Sequence, residues 1–235
     1  MRLLMAVPTL NGHNRVTRLL RSMLEQRLPP SLEILIVDNG SSPPLDLARL
    51  PVPGVPMNLA RTERPGLSMA RNAALASSRP GDVVIFVDDD MVLGDGFFFH
   101  YEKCFSDSSV EAAGGQIVPV FPHRKPPWYF GRFRAFYGRH KRDADYRYAG
   151  DTPYGGNFGV RYRDSLQPFN PDFGIGGQQA LLGEEVLFFR NNRFEHVAYV
   201  DEAVAFHQIE PENCTFRWFM RRLIRVFRTR LRYPD

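Results

Sequence analysis

The run of apolar residues that ends in consecutive aspartates constrains the fold more than any other stretch. Val83 to Val87 are β-branched or aromatic and continuous rather than alternating, which is typical of a central strand buried on both faces. Asp88, Asp89 and Asp90 follow directly. In an open parallel sheet, the ligand crevice lies beyond the carboxyl ends of the strands. The acids therefore lie where a site is expected, and they form either a cation site or a solvated acidic turn.

The residues before this strand alternate between strand and helix patterns. Residues 2–7 and 33–37 are short apolar runs that predict strands, and residues 56–60 predict a weaker third one. Apolar residues at helical spacing within 16–24, and helix-favouring residues over 66–77, predict helices between the strands. This β-α order predicts parallel neighbouring strands, because the crossover connections are right-handed.

Polar residues follow the first, second and fourth predicted strands. Thr9 and Asn11 follow the first strand, and Asp38 ends the second. Because the carboxyl ends of parallel strands meet at one edge of the sheet, these residues are expected to converge with Asp88 to Asp90. The sequence therefore predicts a nucleotide cleft at this edge.

The second half of the chain has a different character. Residues 112–120, 155–160 and 197–200 predict further strands, and residues 203–206 lead to His207. Residues 121–152 mix prolines, aromatic residues and arginines without a clear period, which fits either a loop-rich subdomain or an acceptor-binding lid. Glu184 and Glu185 open an apolar helical turn, where negative charge is favourable.

Composition restricts the class of protein. The chain has 235 residues, of which 43% are hydrophobic, and this predicts one domain with a substantial core. The net charge of +4 does not by itself indicate nucleic-acid binding. The sequence has 2 cysteines and no CxxC motif, which fits a reducing compartment. It shows no signal-peptide pattern and no apolar run long enough to span a bilayer, and we therefore expect a cytoplasmic protein.

The last residues predict a basic amphipathic helix. Phe216, Phe219, Met220, Leu223 and Phe227 have helical spacing, and arginines lie between them. Such a helix either lies on the inner face of a membrane as a peripheral element or packs on the core with its arginines in solvent. The sequence leaves both alternatives open.

Several motifs in order resemble the family 2 glycosyltransferases of the GT-A fold. The matching segments, in chain order, are VPTLNGHN, EILIVDNGSS, PGLSMARNAAL, FVDDD, GGNFGVR, LLGEEV and AVAFHQIEPENCTFRWFMRR. The resemblance implies an α/β, Rossmann-like domain with a mixed, mainly parallel sheet flanked by helices. It also implies transfer of a sugar from a nucleotide-diphosphate sugar to an acceptor hydroxyl.

The resemblance assigns a donor site and a metal site. It implies that Asp90 and Asp88, the outer members of a DxD motif, bind Mn²⁺ or Mg²⁺ together with His207. Asp38 suits the N3–H of uracil, which favours a UDP-sugar, and the role of Asp89 stays open. The donor-binding set that the resemblance implies is Pro8, Thr9, Asn11, Asp38, Gly66, Arg71, Asn72, Asp88 and Asp89.

The resemblance also assigns the catalytic step. Inverting transfer needs one carboxylate to take the acceptor's hydroxyl proton, and the family's GED motif aligns that base with Glu185. The commonest form has aspartate there, and the adjacent Glu184 leaves the assignment open. Gly156, Asn157 and Trp128 are expected on the acceptor side, where a glycan, a lipid-linked intermediate or a small molecule would bind.

The expected division of the domain is a nucleotide-sugar half over 1–110, an acceptor and catalytic half over 111–210, and the basic helix over 211–235.

Two other classes of protein are alternatives. A DxD phosphatase also places acids after a strand, but usually after its first strand. A non-catalytic protein that binds membranes or nucleic acid would explain the terminal arginines, but not the internal acids.

Overall fold

A computed structural model describes residues 1–138, 152–174 and 181–232. The α-helices are α1 (His13–Arg21), α2 (Leu67–Ala76), α3 (Phe97–Phe105), α4 (Glu184–Asn192) and α5 (Phe216–Arg232). The strands are β1 (Leu3–Thr9), β2 (Leu32–Asp38), β3 (Met57–Arg61), β4 (Val83–Val87), β5 (Met91–Leu93), β6 (Ala112–Val120), β7 (Asn157–Arg161) and β8 (Val197–Gln208). Short 3-10 helices lie at Leu47–Arg49, Gly131–Tyr137 and Pro211–Cys214.

The described strands form one mixed sheet in the order β3-β2-β1-β4-β7-β6-β8-β5. The strands β3, β2, β1 and β4 are parallel neighbours, while β7 is antiparallel to both β4 and β6. The predicted α/β fold with a mixed, mainly parallel sheet is confirmed. The carboxyl ends of β1, β2 and β4 therefore meet at one edge, as the alternating pattern predicted.

The central strands are buried on both faces. Leu3, Met5 and Val7 of β1 belong to one core cluster, together with residues of α1. Leu4 and Ala6 belong to the cluster on the other face, together with residues of α2. Successive side chains of a strand point to opposite faces, so two apolar faces require the continuous apolar run seen in the sequence.

The observed elements differ from the prediction in two places. The strand predicted at residues 197–200 continues to Gln208 as β8, whose pairing with β6 shifts in register between Gly115 and Gln116. The exposed Asp201 and Glu202 lie at this irregularity, and they made the strand seem to end at Val200. The sequence analysis did not predict α3 or β5. The buried residues of α3 share one side of the helix, but Phe99 on the other side obscures the pattern, and β5 has only 3 residues.

The helix α5 packs through one face against the aromatic segment that precedes residue 138. Phe219 stacks on Trp128 with ring centroids 5.5 Å apart and meets Phe133 edge-on at 5.2 Å. Of the segment predicted as a lid, residues 139–151 lie outside the described residues. Within the described parts of the chain, no helix is both long and apolar enough to cross a bilayer.

Candidate active site

The acids that follow β4 point to separate partners. Asp88 pairs with Arg71, Asp89 with Arg15, and Asp90 with His207. Each carboxylate thus has a basic partner, and Asp89 is buried. The alternative of a solvated acidic turn is therefore wrong.

Asp89 is held by residues of the first β-α unit. Its Oδ2 accepts a hydrogen bond from Thr9 Oγ1 at 2.5 Å, and its Oδ1 accepts one from Arg15 Nε at 2.9 Å. Burial raises the pKa of Asp89, and the contacts with Arg15 and Thr9 oppose this rise. These contacts indicate that Asp89 fixes the end of β4 against the end of β1.

Asp90 and His207 form a second pair beside it. His207 Nε2 lies 3.2 Å from Asp90 Oδ2, and His207 Nδ1 lies 2.9 Å from the carbonyl oxygen of Tyr137. Burial tends to raise the pKa of Asp90, but His207 and Arg15 oppose burial and the net shift is downward. Burial lowers the pKa of His207, whereas the neighbouring Asp90 raises it, and the net shift is upward.

These residues fit a divalent cation. Asp90 Oδ1 is buried and has no hydrogen-bond partner in the described structure, so one oxygen is left for a cation. Burial raises the pKa of Asp88 to about 6, Arg71 opposes this rise, and the neighbouring Asp90 adds to it. A divalent cation would relieve this repulsion between carboxylates.

The protein alone does not provide a full metal coordination shell. Among the described residues, no group of three or more His, Cys, Asp or Glu side chains is arranged to hold a metal ion. Mg²⁺ is commonly held by one or two carboxylates while waters and substrate phosphates supply the remaining ligands. The site fits this kind of shared coordination.

Arg71 connects the Asp88 side of the site to Glu184. It is 1% exposed, and it donates hydrogen bonds to Glu184 Oε1 at 2.8 Å, Asp88 Oδ1 at 3.3 Å and the carbonyl oxygen of Gly155 at 2.8 Å. Burial disfavours its charge, but the attraction of Glu184 and Asp88 prevails and raises its pKa. The contact with Asp88 brings Arg71 to the DxD acids.

Glu185 lies in a cavity of about 130 Å³, which Asp88, Arg71, His207 and Arg222 also line. Burial and the adjacent Glu184 raise the pKa of Glu185 to about 7, while Arg71 and Arg222 oppose the rise. A base with a pKa near the operating pH is well suited to proton transfer. Because Glu184 is committed to Arg71, Glu185 is the better placed of the two glutamates to act on a ligand.

The ends of β1 and β2 border a separate cleft of about 230 Å³, lined in part by Asn11 and Ser41. Asn11 Oδ1 accepts a hydrogen bond from the Ser42 backbone N–H, and its own N–H donates to Ser41 Oγ. The buried Asp38 accepts hydrogen bonds from the backbone N–H groups of Ser41 and Leu45. These bonds hold the loop after β2, and a contact of Asp38 with a base stays a prediction.

Other predicted site residues have structural contacts. Asn72 exchanges two hydrogen bonds with the backbone of Phe169. The Asn157 side chain is fully buried, accepts from Tyr101 Oη and donates to backbone carbonyls. Pro8 is buried in β1. Their assignments to the donor and acceptor sides stay predictions without support from these contacts.

Glycines and Trp128 complete the predicted set. A Cβ atom at Gly156 would lie 3.0 Å from Asp88 Oδ2, so glycine leaves room beside this acid in the cavity. The N–H of Gly66, at the start of α2, donates to Asn39 Oδ1. The indole N–H of Trp128 donates to Tyr137 Oη at 2.8 Å, and this ring packs on α5.

The sequence analysis did not assign Arg15 or Arg222 to the site. Arg15 meets Asp89 across a separation of 74 residues, which no local pattern reveals. The position of Arg222 could have been inferred from the sequence, since it follows the core residue Phe219 by three positions and therefore shares its side of α5. Its Nε is buried without a hydrogen-bond partner in the described part of the chain.

Comparison with solved structures gives several GT-A glycosyltransferases. The mannosyltransferase PcManGT from Pyrobaculum calidifontis, in complex with GDP-Man and Mn²⁺, is 18% identical with a TM-score of 0.66, covering 100% of this chain and 65% of its own. S. aureus TarS 1–349, in complex with UDP-GlcNAc, is 18% identical with a TM-score of 0.62 and coverages of 89% and 59%. GalNAc-T7 with UDP, GalNAc and Mn²⁺ is 15% identical with a TM-score of 0.64 and coverages of 95% and 48%. This chain thus spans less than two thirds of these proteins.

Fold and sequence together define the class of protein. The arrangement of strands and helices is that of a GT-A glycosyltransferase domain. The sequence matches the profile of glycosyl transferase family 2 over residues 5–168, and the chain belongs to this family of enzymes. A comparison with curated proteins gives no significant match. The family assignment excludes the phosphatase and the non-catalytic binding protein.

Proposed function

We propose that this protein transfers a sugar from a nucleoside-diphosphate sugar to an acceptor hydroxyl, with inversion and with dependence on a divalent metal. The observation that carries the proposal is one cavity that brings together Asp88, His207 and Glu185. Asp88 and His207 would bind the cation of the leaving diphosphate, and Glu185 would accept the proton of the attacking hydroxyl. A UDP-sugar is our first choice of donor, and a GDP-sugar is the second, because PcManGT is in complex with GDP-Man.

The proposed mechanism assigns one task to each part of the cavity. Asp90, Asp88 and His207 would hold Mn²⁺ or Mg²⁺, which supplies charge neutralisation for the leaving diphosphate. Arg71 keeps Asp88 and Glu184 in place through its buried ion pairs. Glu185 takes the proton from the acceptor hydroxyl as its oxygen attacks the anomeric carbon. No covalent intermediate is needed, because the acceptor oxygen displaces the diphosphate directly and one carboxylate is enough to take its proton.

The proposal also divides the chain by function. Residues 1–110 would bind the nucleotide sugar, residues 111–210 would bind the acceptor and supply the base, and residues 211–235 would form the basic helix. A cytoplasmic location remains part of the proposal. Both cysteines, Cys104 and Cys214, are free thiols, which fits a reducing compartment.

The proposal is tested by thermal unfolding of the protein with UDP-, GDP- and dTDP-sugars, with Mn²⁺, Mg²⁺ or a chelator. A ligand at about one hundred times its dissociation constant adds about 2.7 kcal/mol to the free energy of unfolding. We therefore expect one nucleotide class to raise Tm by about 5–10 °C when Mn²⁺ is present, and the chelator to remove most of the rise. No response to any nucleotide with either metal would contradict the proposed donor site.

The pH dependence of turnover is expected to report Glu185. The base must be ionised, so kcat/KM should rise with pH below the Glu185 pKa of about 7 and level off above it. Arg222 lowers this pKa, so Arg222→Gln should move the acid limb of the profile to higher pH. The measurement is release of nucleoside diphosphate from the donor across a pH series.

The matched control for this shift is Arg221→Gln. Arg221 is the adjacent arginine of α5, but it is exposed and does not line the cavity. Its profile should coincide with that of the wild type. An unchanged acid limb in Arg222→Gln, or an equal shift in both variants, would contradict the role assigned to Arg222.

A further inference from the structure

The outward face of α5 carries a continuous apolar stripe. At about 100° per residue, every third or fourth residue falls within one arc of about 80° on the helix surface. All residues of this arc are exposed, and the exposure reaches 62% at Phe227 and 70% at Leu231. The stripe consists of Phe216, Met220, Ile224, Phe227 and Leu231.

An arginine stripe lies directly beside the apolar stripe. It occupies the next arc of about 80° on the helix, and its members are all exposed. The helix contains no acidic residue, so this charge is not neutralised within α5. The arginine stripe consists of Arg217, Arg221, Arg225, Arg228 and Arg232.

Among the described residues, the opposite face of α5 makes most of the contacts with the rest of the domain: Phe219 packs on Trp128 and Phe133, and Arg222 lines the cavity. Of the two stripes, Phe216 has a ring contact with this described part of the domain, with Trp128 at 5.6 Å. The two outward stripes are therefore not needed for packing, although large apolar side chains in water are unfavourable.

We propose that the two stripes form one docking surface for an anionic lipid bilayer, here called the α5 surface. The apolar stripe would enter the boundary between headgroups and acyl chains, and the arginine stripe would contact anionic headgroups. Both parts of the surface are then used. The helix lies in the plane of the membrane and does not cross it.

The chemistry of the α5 surface disfavours two other occupants. Nucleic-acid phosphates would be contacted by the arginines, but the apolar stripe would stay in water. A second copy of the chain could cover the apolar stripe, but it would bring a second set of arginines close to the first without acidic partners on α5. A bilayer with anionic lipid satisfies both stripes at once.

The docking also bears on the acceptor of the proposed glycosyltransferase, and this step rests on the proposed function. Arg222 lies on one side of α5 and lines the cavity with Glu185, while Phe227 and Arg228 lie on the outward side. A helix with its side chains is about 10 Å across. The bilayer would thus lie close to the base, which suits a hydroxyl-bearing acceptor carried on a lipid.

The docking is tested by sedimentation of the full chain with vesicles of phosphatidylcholine alone, or mixed with phosphatidylglycerol. We expect binding only to the mixed vesicles, and weaker binding at higher salt. The double variant Phe227→Gln with Leu231→Gln should reduce the partition coefficient at least about tenfold. The variant Arg225→Gln with Arg228→Gln should reduce it comparably and weaken its salt dependence.

The matched control is Arg79→Gln with Arg190→Gln, which removes the same charge from exposed positions outside α5 and should leave vesicle binding unchanged. Glutamine is a good helix former, and unchanged far-ultraviolet circular dichroism would verify folding. Nucleotide-dependent Tm should be the same in all variants, so this test is independent of the donor site.

Three results would overturn the docking proposal. The first is no binding of the wild type to the mixed vesicles, or equal binding by the apolar double variant. The second is a concentration-dependent dimer that Phe227→Gln with Leu231→Gln dissociates, which would assign the surface to a second copy. The third is tight binding of duplex DNA or RNA that persists in this variant, without vesicle binding.

Discussion

Replacement of Glu185 by glutamine is expected to reduce sugar transfer by about 10²–10⁴-fold, the usual contribution of a general base, while nucleotide binding survives. Glutamine keeps the shape of the side chain but does not accept the hydroxyl proton. Turnover is measured as release of nucleoside diphosphate from the donor with the largest thermal shift. The same thermal shift in the variant would show that the donor site is intact.

Two companion variants make this result specific. Glu185→Asp keeps a carboxylate, as in the commonest form of the family motif, and should lose less activity than Glu185→Gln. Glu25→Gln makes the same chemical change at an exposed position and should leave turnover unchanged. Transfer at a near wild-type rate in Glu185→Gln would contradict its role as the base.

Replacement of Arg71 by methionine is expected to lower the free energy of unfolding by about 3–5 kcal/mol, because it leaves the buried Glu184 and the partly buried Asp88 without their cation. Arg71 is 1% exposed and its Nη1 lies 2.8 Å from Glu184 Oε1. The loss should appear in urea unfolding at neutral pH. The added change Glu184→Gln should restore part of it, because it removes one of the unpaired charges.

Arg2→Met is the matched control for this loss. Arg2 also bridges two acids, Glu33 at 2.8 Å and Asp82 at 2.9 Å, but its side chain is 29% exposed. Ion pairs that keep part of their exposure contribute less than fully buried ones, so this variant should be destabilised clearly less than Arg71→Met. Equal losses for Arg2→Met and Arg71→Met would show that burial does not determine the contribution of Arg71.

The fold was predictable where a local pattern reports burial. Val83 to Val87 are continuous and apolar because both faces of β4 are covered, and all five side chains are buried. The same reasoning fails for α3, because Phe99 lies opposite the buried side of this helix and obscures its period. It also ends β8 at Val200, because the irregular pairing at Asp201 lets acids reach solvent.

The candidate site was predictable in its members more than in its contacts. The motif order pointed to Arg71 and Asp88, and these side chains pair at 3.3 Å. The sequence does not show which of Glu184 and Glu185 is free to act as the base, because this depends on which carboxylate pairs with Arg71 of α2. The partner of Asp89 was equally hidden, since Arg15 approaches only after β1 and β4 have paired.

The acids after β4 make this short stretch a three-way junction within the domain. Asp89 is joined to the first β-α unit through Arg15, Asp88 to α2 through Arg71, and Asp90 to β8 through His207. A ligand that binds both Asp88 and Asp90 would therefore link α2, near the N-terminus, to β8, near the C-terminus. Occupation of the donor site should then increase the cooperativity of unfolding, so that the N-terminal and C-terminal parts melt as one unit.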